Sequence, residues 1–405
     1  MSHGAADVNP DDLRIPAGHA WNRLPLVSGL VGVVFLAVSF AVGSGQPEQF
    51  FFSWLTAFMF FLSVALGGLF FVLTHYVTRA SWSVVPRRLA ENIMGTLPLF
   101  ALLFIPIVVG MHHLFHWTHA DAVAHDPLLQ AKAPYLNSSF FLIRAAICFV
   151  CWTGLALWFR SRSVRQDSSE HAQNVRTTLR MIQVSAPALF VFAFTVTAAS
   201  VDWIMSLDAH WYSTMFGVYY FAGSLVGIFA FMCLLAVAMR HAGLLGGALT
   251  LEHLHDLGKL LFAFTVFWAY IAFSQYFLIW YANIPEETIF YAHRAQGSWL
   301  TLSKMLMWGH FGIPFLFLMS RHIKRRPATL VLGSVWMLLM HYLDLYWLIM
   351  PNRHTEGVHF GLLDLSTLLG IGGLFLAVIG WQLRRRALIP VRDPRLAESL
   401  AFENA

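Results

Sequence analysis

Five ionisable residues stand inside long apolar runs of this 405-residue chain, each a few residues from one end of its run. They are Arg144, Asp202, Lys304, Asp344 and Asp364. At about 1.5 Å per helical residue, all five fall roughly 5–9 Å below the same membrane surface. Charged groups inside membrane-length helices usually pair with one another and mark a path for ions, protons or substrate. We therefore predict a buried polar layer that carries ions, protons or a substrate.

Two histidines extend this prediction. His341 precedes Asp344 by three residues, so the two side chains share one face of a helix. His310 is expected deeper, near the middle of the membrane, and is a further candidate for the proton path or substrate site. The alternative for all seven residues is a set of ion pairs and hydrogen bonds that only fix helix packing.

A second group of ionisable residues stands where apolar runs meet the opposite membrane surface. Glu91 precedes the third run, and His255, Asp256 and Lys259 precede the seventh. Histidine and carboxylate side chains can exchange protons near neutral pH, so these four are candidates for a proton entrance. The alternative is a solvated loop without function.

The amino-acid composition is the reason that charged residues inside the apolar runs are notable. Hydrophobic residues make up 58% of the chain and charged residues 12%, whereas soluble domains have about 45–50% and about 25%. The chain is therefore predicted to be an integral membrane protein in contact with the lipid bilayer. Its net charge of +5 resides in short loops, which does not indicate nucleic-acid binding. Three cysteines, all within apolar runs, are too few for a disulfide framework.

Ten apolar runs have the length of a membrane-spanning helix. We predict an all-α protein in which residues 24–383 form a ten-helix transmembrane domain between tails at 1–23 and 384–405. The predicted runs are Leu24–Val42, Phe50–Thr74, Asn92–His112, Ser138–Phe159, Val184–Met205, Tyr212–Ala238, Leu260–Tyr281, Ser298–Met319, Thr329–Met350 and Phe360–Leu383. Prolines 98, 106, 187 and 314 are expected to kink or locally open their helices.

Loop charge predicts the orientation. The two tails and alternate loops hold 21 of the 26 Lys and Arg residues, against 3 in the loops on the other side. Basic loops remain in the cytoplasm, so both tails are predicted to be cytoplasmic. The charged polar layer then lies below the non-cytoplasmic, or outer, surface.

Redox cofactor motifs are missing from the sequence. It contains no Gly-rich nucleotide loop, no cysteine cluster for iron–sulfur ligation and no CxxCH haem-attachment motif. His310 and His341 are the only histidines inside spans that suit a b-type haem, and their expected depths differ. We therefore expect no cofactor and no metal bound by this chain, so that any electrons would pass to a partner.

Two stretches resemble one protein family. They are Asp202-Trp-Ile-Met-Ser-Leu-Asp208 with His210-Trp-Tyr-Ser-Thr-Met-Phe-Gly217, and His255-Asp-Leu-Gly-Lys259 through Phe273-Ser-Gln-Tyr276 to Trp280-Tyr-Ala-Asn-Ile-Pro-Glu-Glu287. The chain resembles the second quinone-binding-type membrane subunit of bacterial alternative complex III, in the polysulfide-reductase membrane-subunit (NrfD-like) superfamily. Family members often carry proline where this chain has Ala209, a difference that affects only the outer turn.

The resemblance implies two four-helix bundles plus two peripheral helices in a bacterial inner membrane. It implies partners: a multihaem cytochrome c, an iron–sulfur subunit, a monohaem cytochrome c, a paralogous ten-span subunit and a terminal oxidase. Haem c and iron–sulfur clusters would reside on those partners, with quinone or menaquinone as the substrate. The paralogue usually borders the iron–sulfur cluster, so this chain is expected to hold a degenerate quinone site or none and to contribute a proton path.

The functional hypothesis is a membrane subunit of a respiratory quinol:cytochrome c oxidoreductase that contributes to quinone interaction, proton translocation or both. Two alternatives remain open. A secondary transporter would also have ten spans, kinked helices and paired charges. A purely structural anchor subunit would leave the charged layer inert.

Overall fold

The computed structural model describes residues 13–245 and 247–404. Residues 1–12 of the predicted N-terminal tail and Ala405 of the C-terminal tail lie outside this part. The described residues contain ten helices long and apolar enough to cross a membrane, and no strand. The all-α, ten-span prediction is confirmed. We call these helices spans 1–10: Ala20–Gly43, Pro47–Val77, Val84–Val109, Ser138–Gln166, His171–Leu207, Phe216–His241, Leu251–Ala282, Gly297–Met319, Pro327–Asn352 and Leu362–Leu383.

Several spans begin earlier than their apolar runs, on the predicted cytoplasmic side. Span 5 starts at His171 rather than residue 184, and span 7 starts at Leu251 rather than residue 260. Polar contacts support these extensions. Gln166 and Asn174 each donate a side-chain amide hydrogen to the other's backbone carbonyl, both at 3.0 Å, and so join the ends of spans 4 and 5. A helix continues past the apolar core wherever its polar face finds such partners.

Three of the four span prolines coincide with breaks in helical geometry. Span 3 consists of Val84–Met94, Leu97–Leu103 and Ile105–Val109, with prolines 98 and 106 near the start of the second and third pieces. In span 8 a π-helical turn, Met307–Gly312, precedes proline 314. The helix His171–Trp203 continues through proline 187. The missing proline N–H explains the breaks.

The spans associate in three groups. Spans 2–5 pack on one another, spans 6–9 pack on one another, and span 1 packs against span 10. Span 2 is buried along most of its length and also contacts spans 6, 9 and 10. Spans 1 and 10 approach through glycine: a Cβ added at Gly373 would lie 2.5 Å from the backbone nitrogen of Gly32. Small residues permit this close backbone approach between membrane helices.

The two described ends of the chain meet on the same side of the bundle, where Leu388 N donates to Leu13 O at 2.8 Å. The C-terminal segment then covers the ends of spans 3 and 7. Asp393 binds Arg87 at 2.5 Å, and Asn404 donates to the backbone of Glu252 at 3.2 Å. This packing was not predicted from the sequence, which indicated only a polar tail.

Candidate functional site

Arg144 of span 4 and Asp202 of span 5 form a two-point ion pair near the outer ends of their helices. Nε and Nη2 of Arg144 donate to the two carboxylate oxygens of Asp202 at 2.6 and 3.0 Å. The guanidinium also donates to Tyr135 O at 3.0 Å and lies 3.9 Å from the centre of the Tyr135 ring. Asp202 is almost fully buried. Among the five charges of the predicted layer, this is the pair that the structure brings together.

Asp364 of span 10 is the innermost member of a series of hydrogen-bonded polar residues. Ser53 donates to its Oδ1 at 2.6 Å and the Gly361 amide donates to its Oδ2 at 2.8 Å. Gln49 donates to Ser53 at 3.1 Å, and Gln49 Oε1 lies 2.5 Å from His354 Nε2. The series therefore leads from a fully buried carboxylate to a half-buried histidine at the outer end of the bundle.

A cavity of about 370 Å³ opens beside this series. His354, Gln49 and Gly361 line it together with apolar residues of spans 1 and 10. Because the Gly361 amide is bonded to Asp364, one hydrogen bond separates the carboxylate from a residue of the cavity wall. The arrangement is suited to proton exchange between Asp364 and the outer face.

Asp344 of span 9 is held by neutral donors. The Tyr219 hydroxyl donates to Oδ1 at 2.6 Å and the Trp268 indole donates to Oδ2 at 3.1 Å. Lys304 does not contact it: Lys304 is exposed on span 8 and has no ion-pair partner among the described residues. The five charges of the predicted layer therefore do not form one connected network. Equal depth does not fix the direction in which a side chain points around its helix.

His341 and Asp344 share one face of span 9, as predicted. A Cβ added at Gly223 of span 6 would lie 2.9 Å from His341 Cε1 and 3.8 Å from Asp344 Oδ2. His310 joins them, because ligand atoms of His310, His341 and Asp344 all lie within 4.8 Å of one another and all three residues are buried. The sequence did not indicate this contact, because counting residues from helix ends estimates depth and not the direction in which a side chain points around its helix.

The side chains of this cluster are closely packed. The Trp268 and His310 rings lie 3.7 Å apart, centre to centre. Ser63 Oγ lies 2.8 Å from His341 Nε2. Two imidazoles and a carboxylate in this geometry can share a proton or bind a small cation.

The four candidates for a proton entrance belong to two separate clusters. Glu91 is fully buried between Arg87 and Arg88, at 3.3 and 3.1 Å. Asp393 and Asp167 neutralise the outer sides of these arginines at 2.5 and 3.0 Å. Burial raises the pKa of Asp167 above its ordinary value.

The seventh-span group forms the other cluster. Asp256 pairs with Lys259, which also donates to Asn404 of the C-terminal segment. His255 is nearly buried and its Nδ1 has no hydrogen-bond partner in the described part of the chain. Both clusters lie at the predicted cytoplasmic ends of their spans. Within the described ranges 13–245 and 247–404, no hydrogen bond or ion pair joins the two clusters directly.

Residues that sequence reasoning missed complete these sites. They are Ser53, Ser63, Tyr219, Trp268, Gln49, His354 and Asp393. Serine, tyrosine and tryptophan are common in membrane helices, so their types gave no signal. The Arg87–Glu91 spacing of four residues was a usable signal for a helical ion pair.

The two family-like stretches contact each other at the outer end of the bundle. Trp211 Nε1 donates to Glu287 O at 3.1 Å, and Ser213 Oγ donates to Gln275 Oε1 at 3.0 Å. In the same turn His210 Nε2 lies 2.5 Å from Asp126 Oδ2. This contact holds the pKa of Asp126 below its ordinary value. These contacts join spans 5, 6 and 7 at this end of the bundle, whereas His255–Lys259 of the second stretch lies at the opposite end of span 7.

No protein-family model matches the chain, and no curated protein matches it. The fold and the helix composition define its class directly. It is a multi-pass, all-helical membrane protein with ten spans in its described residues and buried polar groups at several levels of the bundle.

Proposed function

We propose that this chain is a membrane subunit of a respiratory quinol:cytochrome c oxidoreductase of the alternative complex III type, in a bacterial inner membrane. The motifs of residues 202–217 and 255–287 support this proposal, since they resemble that family and contact each other at the outer end of the bundle, through Trp211 with Glu287 and Ser213 with Gln275. The electrons would be carried by haem c and iron–sulfur clusters of partner subunits. This chain would handle protons, quinone or both.

The single observation that carries the proton-handling part is the environment of Asp364. A carboxylate that is fully buried in a membrane helix is costly to keep, and such groups usually mark proton or substrate paths. Asp364 is bonded to Ser53 and Gly361, and the cavity beside Gly361 opens toward the outer face. In the proposed function, Asp364 exchanges protons with water in that cavity.

The same cavity supports a contact with quinone. Its wall combines His354 and Gln49, which carry polar hydrogens, with the apolar side chains of Val42, Phe360 and Leu362. Ligand pockets for such molecules are mostly apolar, with a few polar groups that fix orientation. A quinone headgroup offers carbonyl oxygens to the polar groups and a flat ring to the apolar ones.

The first test is affinity purification of the tagged full-length protein from its native membranes in a mild detergent. We expect multihaem cytochrome c, an iron–sulfur protein and a second ten-span subunit in stoichiometric amounts, together with quinol:cytochrome c activity. A protein that purifies alone, without cytochromes, contradicts the proposal and favours a secondary transporter. Stoichiometric partners without any effect of polar-site variants favour a structural anchor.

The second test uses the purified complex after Asp364→Asn, which removes the proton-binding group and retains its size. We expect the rate of quinol oxidation, and with it the rate of proton release, to fall about tenfold or more, in the range of general acid–base effects. The matched control is Asp121→Asn, which changes an exposed carboxylate of an outer loop. Equal proton release by the two variants contradicts the role of Asp364.

A further inference from the structure

The cluster of His310, His341 and Asp344 contains buried nitrogen atoms that are not paired. His310 is fully buried and neither of its ring nitrogens has a hydrogen-bond partner among the described residues. Nδ1 of His341 is also buried without a hydrogen-bond partner in the described part of the chain. An unpaired buried polar atom is destabilising, and buried polar groups in folded proteins are nearly always satisfied. The lone pairs of these nitrogens are therefore available to bind a ligand.

Hydrogen bonding assigns the tautomer of His341. The Ser63 hydroxyl has one hydrogen and donates it to Phe60 O at 2.6 Å. Its oxygen must then accept from Nε2–H of His341, across a distance of 2.8 Å. The neutral ring consequently carries its free lone pair on Nδ1, the nitrogen next to Gly223, and Asp344 Oδ2 faces the same glycine. Two electron-pair donors thus point to one small volume.

The supporting contacts resemble those around metal ligands. Tyr219 and Trp268 each donate to one oxygen of Asp344, so each oxygen keeps a second lone pair. Ser63 orients His341 through the nitrogen that does not face the cluster. Metal-binding histidines and carboxylates are commonly oriented by outer partners of this kind. His310 lies in a π-helical turn, a feature often found at functional sites.

We propose that His310, His341 and Asp344 bind one divalent first-row transition-metal ion, with zinc as the representative ion. Two imidazoles and a carboxylate suit zinc or ferrous iron, whereas magnesium and calcium prefer sets of oxygen ligands. Around a tetrahedral zinc, ligand atoms at 2.0–2.1 Å from the ion are about 3.4 Å apart. The present ligand atoms lie within 4.8 Å of one another, so metal binding draws the side chains together by up to about 1.4 Å.

The net charge of the occupied cluster indicates which type of fourth ligand it would take. A dication with one carboxylate leaves a net positive charge inside the bundle, which is unfavourable in the membrane interior. An anionic fourth ligand such as hydroxide makes the cluster neutral, and three protein ligands leave a position for it. The site is separate from Asp364, whose bonded partners Ser53 and Gly361 are not part of this cluster. Metal binding therefore does not depend on the proposed function.

The test measures metal in the purified full-length protein. The protein is treated with a chelator, incubated with zinc sulfate, freed of unbound ion and examined by mass spectrometry for zinc. We expect about one zinc per chain, falling at least fivefold in His310→Gln and in Asp344→Asn. The matched control, His293→Gln, alters an exposed histidine and should retain wild-type zinc. Wild-type protein without bound zinc, or unchanged zinc in both site variants, overturns the proposal.

If the variants fail to fold, a second measurement on the unaltered protein still tests the site. Cobalt(II) replaces zinc, and its visible absorption and X-ray absorption report the ligand types. Two imidazoles with oxygen donors are expected. A spectrum dominated by sulfur, or by water ligands alone, overturns the site. Loss of cytochrome partners would contradict only the proposed function, and loss of metal binding only this inference.

Discussion

Arg144 and Asp202 are joined by two hydrogen bonds that run from one guanidinium edge to both oxygens of one carboxylate. The contact links span 4 to span 5 where both helices approach the outer surface. A buried, two-point ion pair of this type binds its partners in one orientation, whereas a single contact leaves rotation free.

The first prediction follows from this pair. Arg144→Met leaves the buried Asp202 carboxylate without compensation, which is expected to cost about 3–5 kcal/mol, and removal of both charges together is expected to be close to neutral. Thermal unfolding of Arg144→Met, Asp202→Asn and the double variant in one detergent measures these effects. A double variant as unstable as the worse single variant contradicts the pairing.

Lys304→Met serves as the control for this series. Because Lys304 is exposed and has no ion-pair partner in the described part of the chain, its loss is expected to change stability by less than about 0.5 kcal/mol. The effects of Lys304→Met and Asp344→Asn should simply add. A coupling between them would show a contact that the structure does not contain.

The second prediction concerns topology. A reporter that is active only in the cytoplasm is expected to work after Arg165 or Arg386 and to fail after Pro285. The strong bias of Lys and Arg toward one set of loops is the physical reason. Cytoplasmic activity after Pro285 would reverse the orientation and move the cavity beside Asp364 to the cytoplasmic side.

The third prediction concerns pH. The contact with His210 lowers the pKa of Asp126 in the folded state. Its contribution to stability is therefore present above the unfolded-state pKa of about 3.9 and is lost as the pH falls through the lower folded-state pKa. The melting temperature of wild type should exceed that of Asp126→Asn at pH 6, and the difference should shrink below about pH 4. The exposed Asp121→Asn is the control; a difference for Asp126→Asn that is constant with pH would contradict the contact.

The fourth prediction concerns the contact between spans 1 and 10. Gly373→Ala places a Cβ 2.5 Å from the Gly32 nitrogen, so the helices must separate, at a cost of about 1–3 kcal/mol. Gly154→Ala is the matched control on an open helix face, where nothing lies within 4 Å of the new Cβ. It should be neutral or stabilising by about 0.5–1 kcal/mol. Equal melting temperatures for the two variants would argue against the close approach.

The number of spans and several local features were predictable from the sequence. Apolar length is a direct physical requirement for crossing a bilayer, so all ten spans were found. The shared face of His341 and Asp344 follows from helical periodicity, and breaks at prolines 98, 106 and 314 follow from the missing N–H. These features depend on residues close together in the chain.

The contacts between spans were less predictable. Span 2 is apolar on all sides, so periodicity does not indicate which neighbour each face meets. Equal depth suggested that the five charges pair with one another, but rotation about the helix axis places Lys304 on the exposed face. The approach of His310 to His341 depends on tilt and on the π-helical turn. Partners such as Tyr219 and Trp268 have no distinctive spacing.

The contact between spans 1 and 10 also has a consequence for biosynthesis. Ser39 and Ser366, which hydrogen bond across it at 2.8 Å, are 327 residues apart in the chain. At about 5–20 residues per second, the ribosome needs roughly 15–65 s to make that interval. Span 1 enters the membrane first and remains there for that time without span 10 to pack against. A chain that ends before span 10 lacks Asp364. It also leaves the glycine-containing face of span 1 without its packing partner.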